Sequence, residues 1–455
     1  MRVMHACRRL GLDFVCVTTR EDLHSGHVRL ARELGGDQAV YTITSYLDAN
    51  ELFSVADASR ATAVHPGYGF FAEDFRFARR VVRRDRPLEF IGPSWWVIRD
   101  LGDKINTKRI ARSLGVPTVP GSDRPVYSEM EADEIAASLF EFQATQGISD
   151  GVIMVKASAG GGGMGIEEVG GFEAFRSVFR RIRNYAKRNF GDEGVLIEQR
   201  IFDFNHLEVQ VVGERGGKKH VHFGTRNCSV QSTGKQKRIE VAPGFAPGVV
   251  PYTFDAARVL DEITRHSLAM AQETRYDNVG TWEWIITPRG EPFLMEVNTR
   301  IQVENGVSAV ISRVNGGPVD ILAEQIRLAL GGSLDYGQPD IAFDGVGIEY
   351  RLVAENTDNR FTPCAGTITR FGWREHDWLD VYTQVPTDVP YEIPMEYDPN
   401  LALAIVWGAD LAQAKERGLQ FLGELVLEGD VAGTSGAFHT NVGFLKDKTG
   451  RLLEF

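Results

Sequence analysis

Cysteine is scarce in this 455-residue chain. Its four cysteines (Cys7, Cys16, Cys228, Cys364) are too sparse for a disulfide framework and lack the spacing of a metal site. No apolar run reaches the roughly 18 residues of a membrane-spanning helix. The opening Met1-Arg-Val-Met-His-Ala-Cys-Arg-Arg9 has no signal-peptide apolar core. Positive charge is in deficit: 50 Lys and Arg face 62 Asp and Glu, for a net charge of −12. This argues against nucleic acid or an anionic membrane as the main partner, while leaving room for a local basic pocket for a small anion. Repeats are absent, and so is low complexity outside one glycine run. A reducing cytoplasm is the simplest expected home. What remains is an ordinary globular composition, 43% hydrophobic and 25% charged, at a length that predicts two to four domains or subdomains.

Within that ordinary composition, Met295-Glu-Val-Asn-Thr-Arg-Ile-Gln-Val-Glu304 is unusual. Glu296, Asn298, Arg300, Gln302 and Glu304 recur at every second position, so an extended chain would line all five along one face. Thr281–Ile286 and Pro292–Asn298 read as a hairpin about the Thr287-Pro-Arg-Gly290 turn. A two- or four-residue loop would set Glu283 and Glu296 on the same face; a three-residue loop would need a bulge to do so. Opposed like charges destabilise a sheet, so a cation is expected between them. Hard oxygen donors from Glu283, Glu296 and Asn298 suit Mg²⁺ or Mn²⁺ held together with phosphate oxygens. A solvated edge hairpin with chance acidic residues is the alternative.

Along the chain, residues 1–97 alternate helix and strand signals, which predicts a parallel sheet with helices on its faces. The chain opens on a helix with no strand before it, and the expected reading is that the true start lies upstream of Met1. Residues 99–114 look helical and carry Gly102-Asp-Lys104 inside the helix. Residues 126–190 form a helix–strand–loop–strand–helix unit. Residues 191–330 read as a larger sheet with helices, and 340–455 as a further α+β unit.

The loop Lys156-Ala-Ser-Ala-Gly-Gly-Gly-Gly-Met-Gly165 joins two strands. Its glycines would let backbone N–H groups approach phosphate oxygens without Cβ clashes. It is neither a Walker A loop nor a dinucleotide fingerprint. A mobile lid over a triphosphate is one reading, a surface hairpin the other. His65-Pro-Gly-Tyr-Gly-Phe70 ends a strand, where α/β sheets place ligand crevices; a simple tight turn would also explain it. Cys228-Ser-Val-Gln-Ser-Thr-Gly-Lys-Gln-Lys237 reads as a loop rich in cations and amides, either an anion pocket or a solvated loop. Glu349 and Arg351 share one strand face, and such a pair is often only a structural ion pair.

These motifs, in this order and over nearly the whole chain, resemble those of the biotin carboxylases, the ATP-grasp component of biotin-dependent carboxylases. The resemblance implies an N-terminal Rossmann-like domain (1–97), an ATP-grasp domain (98–330) with a glycine-rich lid at about 126–190, and a C-terminal biotin carboxylase domain (331–455). It implies carboxylation of biotin by ATP and bicarbonate, through carboxyphosphate, with Mg²⁺. By the resemblance, Lys104, Lys156 and the Gly161, Gly162 and Gly163 backbone would hold ATP phosphates. Glu198 and the backbone near Ile201 would meet adenine, and His206 and Gln231 the ribose or phosphates. Glu283, Glu296 and Asn298 would bind the metal. Lys237, Arg300, Gln302 and the Val303 backbone would seat bicarbonate, Glu304 would deprotonate it, and Arg351 would stabilise the enolate-like oxygen of the biotin ring.

The family's first strand and its Asn-Arg-Gly-Glu-Ile-Ala segment are missing, and several rim positions depart from the pattern. Gln231–Lys237 is one residue longer than usual, without the arginine pair and histidine, and Lys235 is the candidate replacement for that histidine. Asn305 stands for a histidine and Met164 for an arginine. No Met-Lys-Met biotinylation site occurs. The biotin carrier and the carboxyltransferase are therefore expected as separate chains or beyond residue 455, and a homodimer is expected by resemblance. Two rivals remain: another ATP-grasp ligase joining an acyl phosphate to an amine, and a non-catalytic scaffold subunit.

Overall fold

In the computed structural model, the described residues are all except 159–164, 234–235, 247–251, 394–399, 432–437 and 453–455. The chain forms two compact units. The first comprises 1–102, 205–284 and 297–455, the second 103–204 and 285–296.

In the first unit, residues 1–102 alternate helix and strand as expected. The strands pair in parallel, Cys16–Thr18 with Val40–Thr42 and Ala63–Val64 with Glu89–Phe90. Asp48 and Asp74 cap the helices Ala49–Ser59 and Phe75–Arg83 by accepting from first-turn N–H groups.

The dominant element of this unit is a sheet running in the order Asn278–Ile286, Asn205–Gly213, His220–Gln231, Lys237–Ala242, Val346–Val353, Asn400–Gly408, Leu379–Thr383. From Asn205–Gly213 onward, every neighbouring pair is antiparallel. Strand Val346–Val353 thus joins the strands of 205–242 in one sheet, so the sheet runs across residue 330. Period-two alternation divides its residues between faces. Ile239, Val241, Ile348, Tyr350 and Leu352 enter an apolar core with Leu411, Phe421 and Leu422 of helix Leu411–Glu424. Glu240, Glu349 and Arg351 occupy the alternate positions.

Helix Asn305–Ile311 lies close against that polar face. A Cβ on Gly347 would stand 2.7 Å from Val310 Cγ1 and 3.0 Å from Val307 Cγ2, so only glycine admits the helix there. Glu304 is the N-cap of this helix.

In the second unit, strands Ile166–Gly170, Val152–Ala157 and Val195–Gln199 form an antiparallel sheet in that order. Helices Glu129–Thr145 and Phe172–Phe190 share its core through Ala132, Ala136, Phe175, Phe179 and Ile182. A smaller cluster joins Val119, Ile201, Ile285, Phe293 and Met295.

Four expectations are corrected. Gly102-Asp-Lys104 is not inside a helix: Trp95–Gly102 and Lys104–Ser113 are separate helices, and Asp103 caps the second by accepting from Ile105 and Asn106. The turn at 287–290 has neither even length. Thr287 N–H donates to Glu291 O and Gly290 N–H to Thr287 O, closing a three-residue loop. The polar periodicity of 296–304 is not one strand face either: the strand ends at Asn298, and the chain turns before Glu304. Cys228–Lys237 is not a loop throughout: Cys228–Gln231 ends one strand and Lys237 opens the next.

Gly347→Ala should lower stability by about 1–3 kcal/mol, the usual cost of overpacking. Urea unfolding measures this, and an unchanged midpoint would mean that helix Asn305–Ile311 can shift away.

Candidate functional site

Lys237, Gln302, Glu304 and Arg351 come together in the first unit. Lys237 Nζ lies 2.7 Å from Glu304 Oε1, 3.3 Å from Gln302 Oε1 and 3.5 Å from Glu283 Oε1, and also donates to Glu208. Arg351 Nη2 lies 2.9 Å from Glu304 Oε2 and 2.6 Å from Glu240 Oε1. The turn after Asn298, followed by the helix that Gly347 admits, delivers Glu304 to these cations. Only 1% of the Glu304 side chain is exposed. Burial pushes its carboxyl up, but Lys237, Arg351 and Arg226 outweigh burial and hold it far below the usual carboxylate range. Burial disfavours charge on Lys237 as well, yet Glu208, Glu304 and Glu283 keep it firmly protonated.

Asn298 and Gln302 both donate to Glu283 Oε1, at 2.7 and 3.2 Å. His206 Nε2 stands 3.0 Å from Glu283 Oε2, and its Nδ1 3.0 Å from Gln231 Nε2. Against the effect of burial, Lys237 and His206 hold Glu283 well below the usual carboxylate range, so it is a ready anionic donor. Ligand atoms of His206, Glu208 and Glu283 lie within 4.8 Å of one another.

Arg300 stands apart from the Glu304 cluster. Its Nε donates to Glu73 Oε2 at 3.0 Å, and Glu73 Oε1 accepts from Thr299 N–H at 3.2 Å. The Val303 carbonyl accepts from Arg2 Nη2 at 2.6 Å.

The second unit holds the remaining candidates. Lys104 Nζ lies 2.6 Å from Glu296 Oε2. Glu198 takes Lys156 on one oxygen and Lys108 on the other. Burial raises the Glu198 carboxyl, but the two lysines override it and bring it down to about 2. Ile201 is buried beside Val119 and Ile285. The candidates Gly161, Gly162 and Gly163, together with Lys235, fall outside the described residues.

Several site residues escaped the sequence reading: Lys108, Glu208, Glu240 and Arg226. Arg226 is fully buried and donates to Glu208 through Nε (2.9 Å) and Nη2 (2.8 Å), and through Nη1 to Gln210 and Ser308. The available signal was a charge alternating with β-branched residues in apolar strands, as in Leu207-Glu-Val-Gln-Val211 and Ile239-Glu-Val241.

Three family models match the chain: biotin carboxylase, N-terminal domain (1–98); carbamoyl-phosphate synthase L chain, ATP binding domain (103–336); and biotin carboxylase C-terminal domain (349–447). The biotin carboxylase of Nostoc sp. is 33% identical over 442 residues, covering 97% of this chain and 92% of that one. The small subunit of 2-oxoglutarate carboxylase from Hydrogenobacter thermophilus is 35% identical over 409 residues, covering 89% of this chain and 80% of that one. Among solved structures, the biotin carboxylase domain dimer of the Hydrogenobacter thermophilus enzyme, in complex with MgADP, ADP and bicarbonate, matches with a TM-score of 0.82 and 33% identity, over 99% of this chain and 91% of that one.

Glu198→Gln should destabilise the second unit by about 3–5 kcal/mol at pH 7, because it leaves two lysines without their shared anion. The folded carboxyl lies below its unfolded value. Its contribution is therefore complete above about pH 4.5 and fades as pH falls toward 2. Calorimetry should show the gap between wild type and variant narrowing from pH 5 to pH 3; a constant gap would refute the ion-pair account.

Proposed function

The chain belongs to the biotin carboxylase family, and we propose that the Lys237–Glu304–Arg351 cluster is where bicarbonate is activated and biotin receives its carboxyl group. The enzyme is an ATP-grasp ligase that carboxylates biotin with bicarbonate at the expense of ATP. The carrying observation is that one buried carboxylate, Glu304, is gripped by two cations that have other anions at hand.

A carboxylate held so far down is a poor base while both cations stay on it. If Lys237 turns to bicarbonate and Arg351 to the developing oxyanion of the biotin ring, Glu304 loses its counterions, and its basicity rises as a proton becomes available. Glu304 Oε1 or Oε2 then takes the bicarbonate proton. Gln302 holds the Lys237 side of this arrangement and, through its amide, Glu283. Arg300 and the Val303 backbone complete the proposed bicarbonate seat. Such positioned cations commonly contribute about 3–4 kcal/mol each to transition-state stabilisation.

In the second unit, Lys104 and Lys156 are each held by a carboxylate that phosphate oxygens could displace, while the Glu198 and Ile201 segment is the proposed adenine contact. His206 and Gln231 are the proposed ribose or phosphate contacts of the first unit. Glu283 and Asn298 present hard oxygens and an ionised carboxylate, which fits Mg²⁺; Glu296 is assigned the same role. The bound ion would neutralise phosphate charge.

The related carboxylase subunits support a biotin carrier and a carboxyltransferase as partners, and the dimeric relative supports a homodimer. Among the described residues, no helix is long and apolar enough to cross a membrane, and the cytoplasm is the proposed compartment. Domain limits near 97 and 330 are proposed with this reading.

Glu304→Gln should cut bicarbonate- and biotin-dependent ADP release by about 10²–10⁴-fold, and Arg351→Ala by about 10²–10³-fold, with Mg-ATP affinity kept. Coupled ADP assays and calorimetry measure both. Full activity in both variants would overturn the residue roles. ADP release with an amine but none with biotin would point to another ligase, and loss of Mg-ATP binding in the wild type to a scaffold.

A further inference from the structure

Strands Lys237–Ala242 and Val346–Val353 pair so that Glu240 lies directly opposite Glu349. Like charges facing each other across strands are unfavourable even at a wet surface, and here both side chains are fully buried. None of their four carboxylate oxygens has an aligned hydrogen bond. Glu349 has Ile405 as its partner on the other side. The charges facing it are Glu240, Arg351 two residues along its own strand, Arg2 of the first helix and Glu304.

Glu208, Glu240, Glu283, Glu304 and Glu349 are buried together with the cations Arg226, Lys237 and Arg351. His206 offsets Glu283, and the further cation facing Glu349 is Arg2, whose Nη1 makes no aligned hydrogen bond. Arg351 is already divided between Glu240 and Glu304, so it cannot also neutralise Glu349. Two buried carboxylates opposed across strands, with Arg351 paired to Glu240 and no aligned hydrogen bond on either Glu349 oxygen, favour sharing one proton.

We propose that Glu349 is a positioning residue that carries a proton at neutral pH, sharing the Glu240–Glu349 pair as one neutral and one charged carboxyl. Glu240 keeps the charge because Arg351 lies 2.6 Å from it. The neutral Glu349 leaves Arg351 poised between Glu240 and Glu304. An ionised Glu349 would add a second anion on the far side and draw the guanidinium away from Glu304. In line with this, burial and Glu240 raise the Glu349 carboxyl well above its ordinary value, and burial lifts Glu240 to about 7. The inference deepens the role proposed for Arg351, and its first two readouts do not depend on activity.

The sign of the pH effect follows from the raised carboxyls. The folded state holds its proton above the pH at which the unfolded chain releases it. The contribution of this pair is then complete below about pH 4.5 and is lost as pH rises through the raised folded values of the two carboxyls. Glu349→Gln keeps the neutral shape and cannot ionise.

Thermal unfolding should show the variant gaining on wild type between pH 5 and pH 8, by about 2 °C or more. Infrared spectra of wild type at pH 7 should contain the carbonyl band of a protonated carboxyl group, missing in Glu349→Gln. With free biotin at pH 7, Glu349→Gln should keep kcat within about threefold, while Glu240→Gln, which removes the anchor of Arg351, should lose about tenfold or more with KM for ATP unchanged. A pH-independent difference in melting temperature, or a loss in Glu349→Gln equal to that in Glu240→Gln, would overturn the proposal. Should Glu349→Gln fail to fold, the wild-type infrared band decides alone, and its absence at pH 7 overturns the proposal.

Discussion

Five carboxylates taken out of water in one place must be matched by cations or by protons, and this requirement governs the first unit. Glu208 is the hinge of the arrangement. It receives Arg226 in a two-pronged grip from the neighbouring strand and Lys237 from the strand beyond. A buried ion pair stands only when its remaining hydrogen-bonding groups are also satisfied, and Arg226 meets that condition by reaching Gln210, Thr281 and Ser308 as well. Five elements, four strands and a helix, are thereby tied together before any substrate arrives. Preorganisation of this kind lets fixed charges act on a transition state without first having to reorient.

The second unit answers a similar demand with fewer parts. One buried carboxylate, Glu198, holds two lysines, Lys156 on one oxygen and Lys108 on the other. Lys108 shows what the arrangement costs: burial lowers its affinity for a proton despite the carboxylate beside it. In both units, the cations expected to meet anionic substrates are held in the meantime by anions of the protein.

The strand–helix alternation of residues 1–97 and the strand at 346–353 are legible in the sequence because hydrophobic periodicity is local. The polar row 296–304 misleads for the same reason. Its spacing of two matches a strand only through Asn298, and the helix that follows the turn is admitted by Gly347, far along the chain. Asp103 was legible in principle, since an Asp before a helical run is a capping signal. The apolar residues on both sides hid the break. Lys108, Glu208, Arg226 and Glu240 stayed hidden because a charged residue within an apolar strand or helix has meaning only through its partner, and those partners lie 16 or more residues away.

Glu73 ties the backbone of Thr299 and the side chain of Arg300 to the segment that begins at His65-Pro-Gly, while the next residue, Asp74, starts the helix Phe75–Arg83. This single carboxylate works as a splice between the amino-terminal αβ layer and the strip of residues assigned to bicarbonate. Looseness in residues 65–74 would therefore be felt as a blurred anion seat, even though no residue of that segment is assigned to touch the anion. The His-Pro-Gly turn thereby opens the segment from which Glu73 holds Arg300.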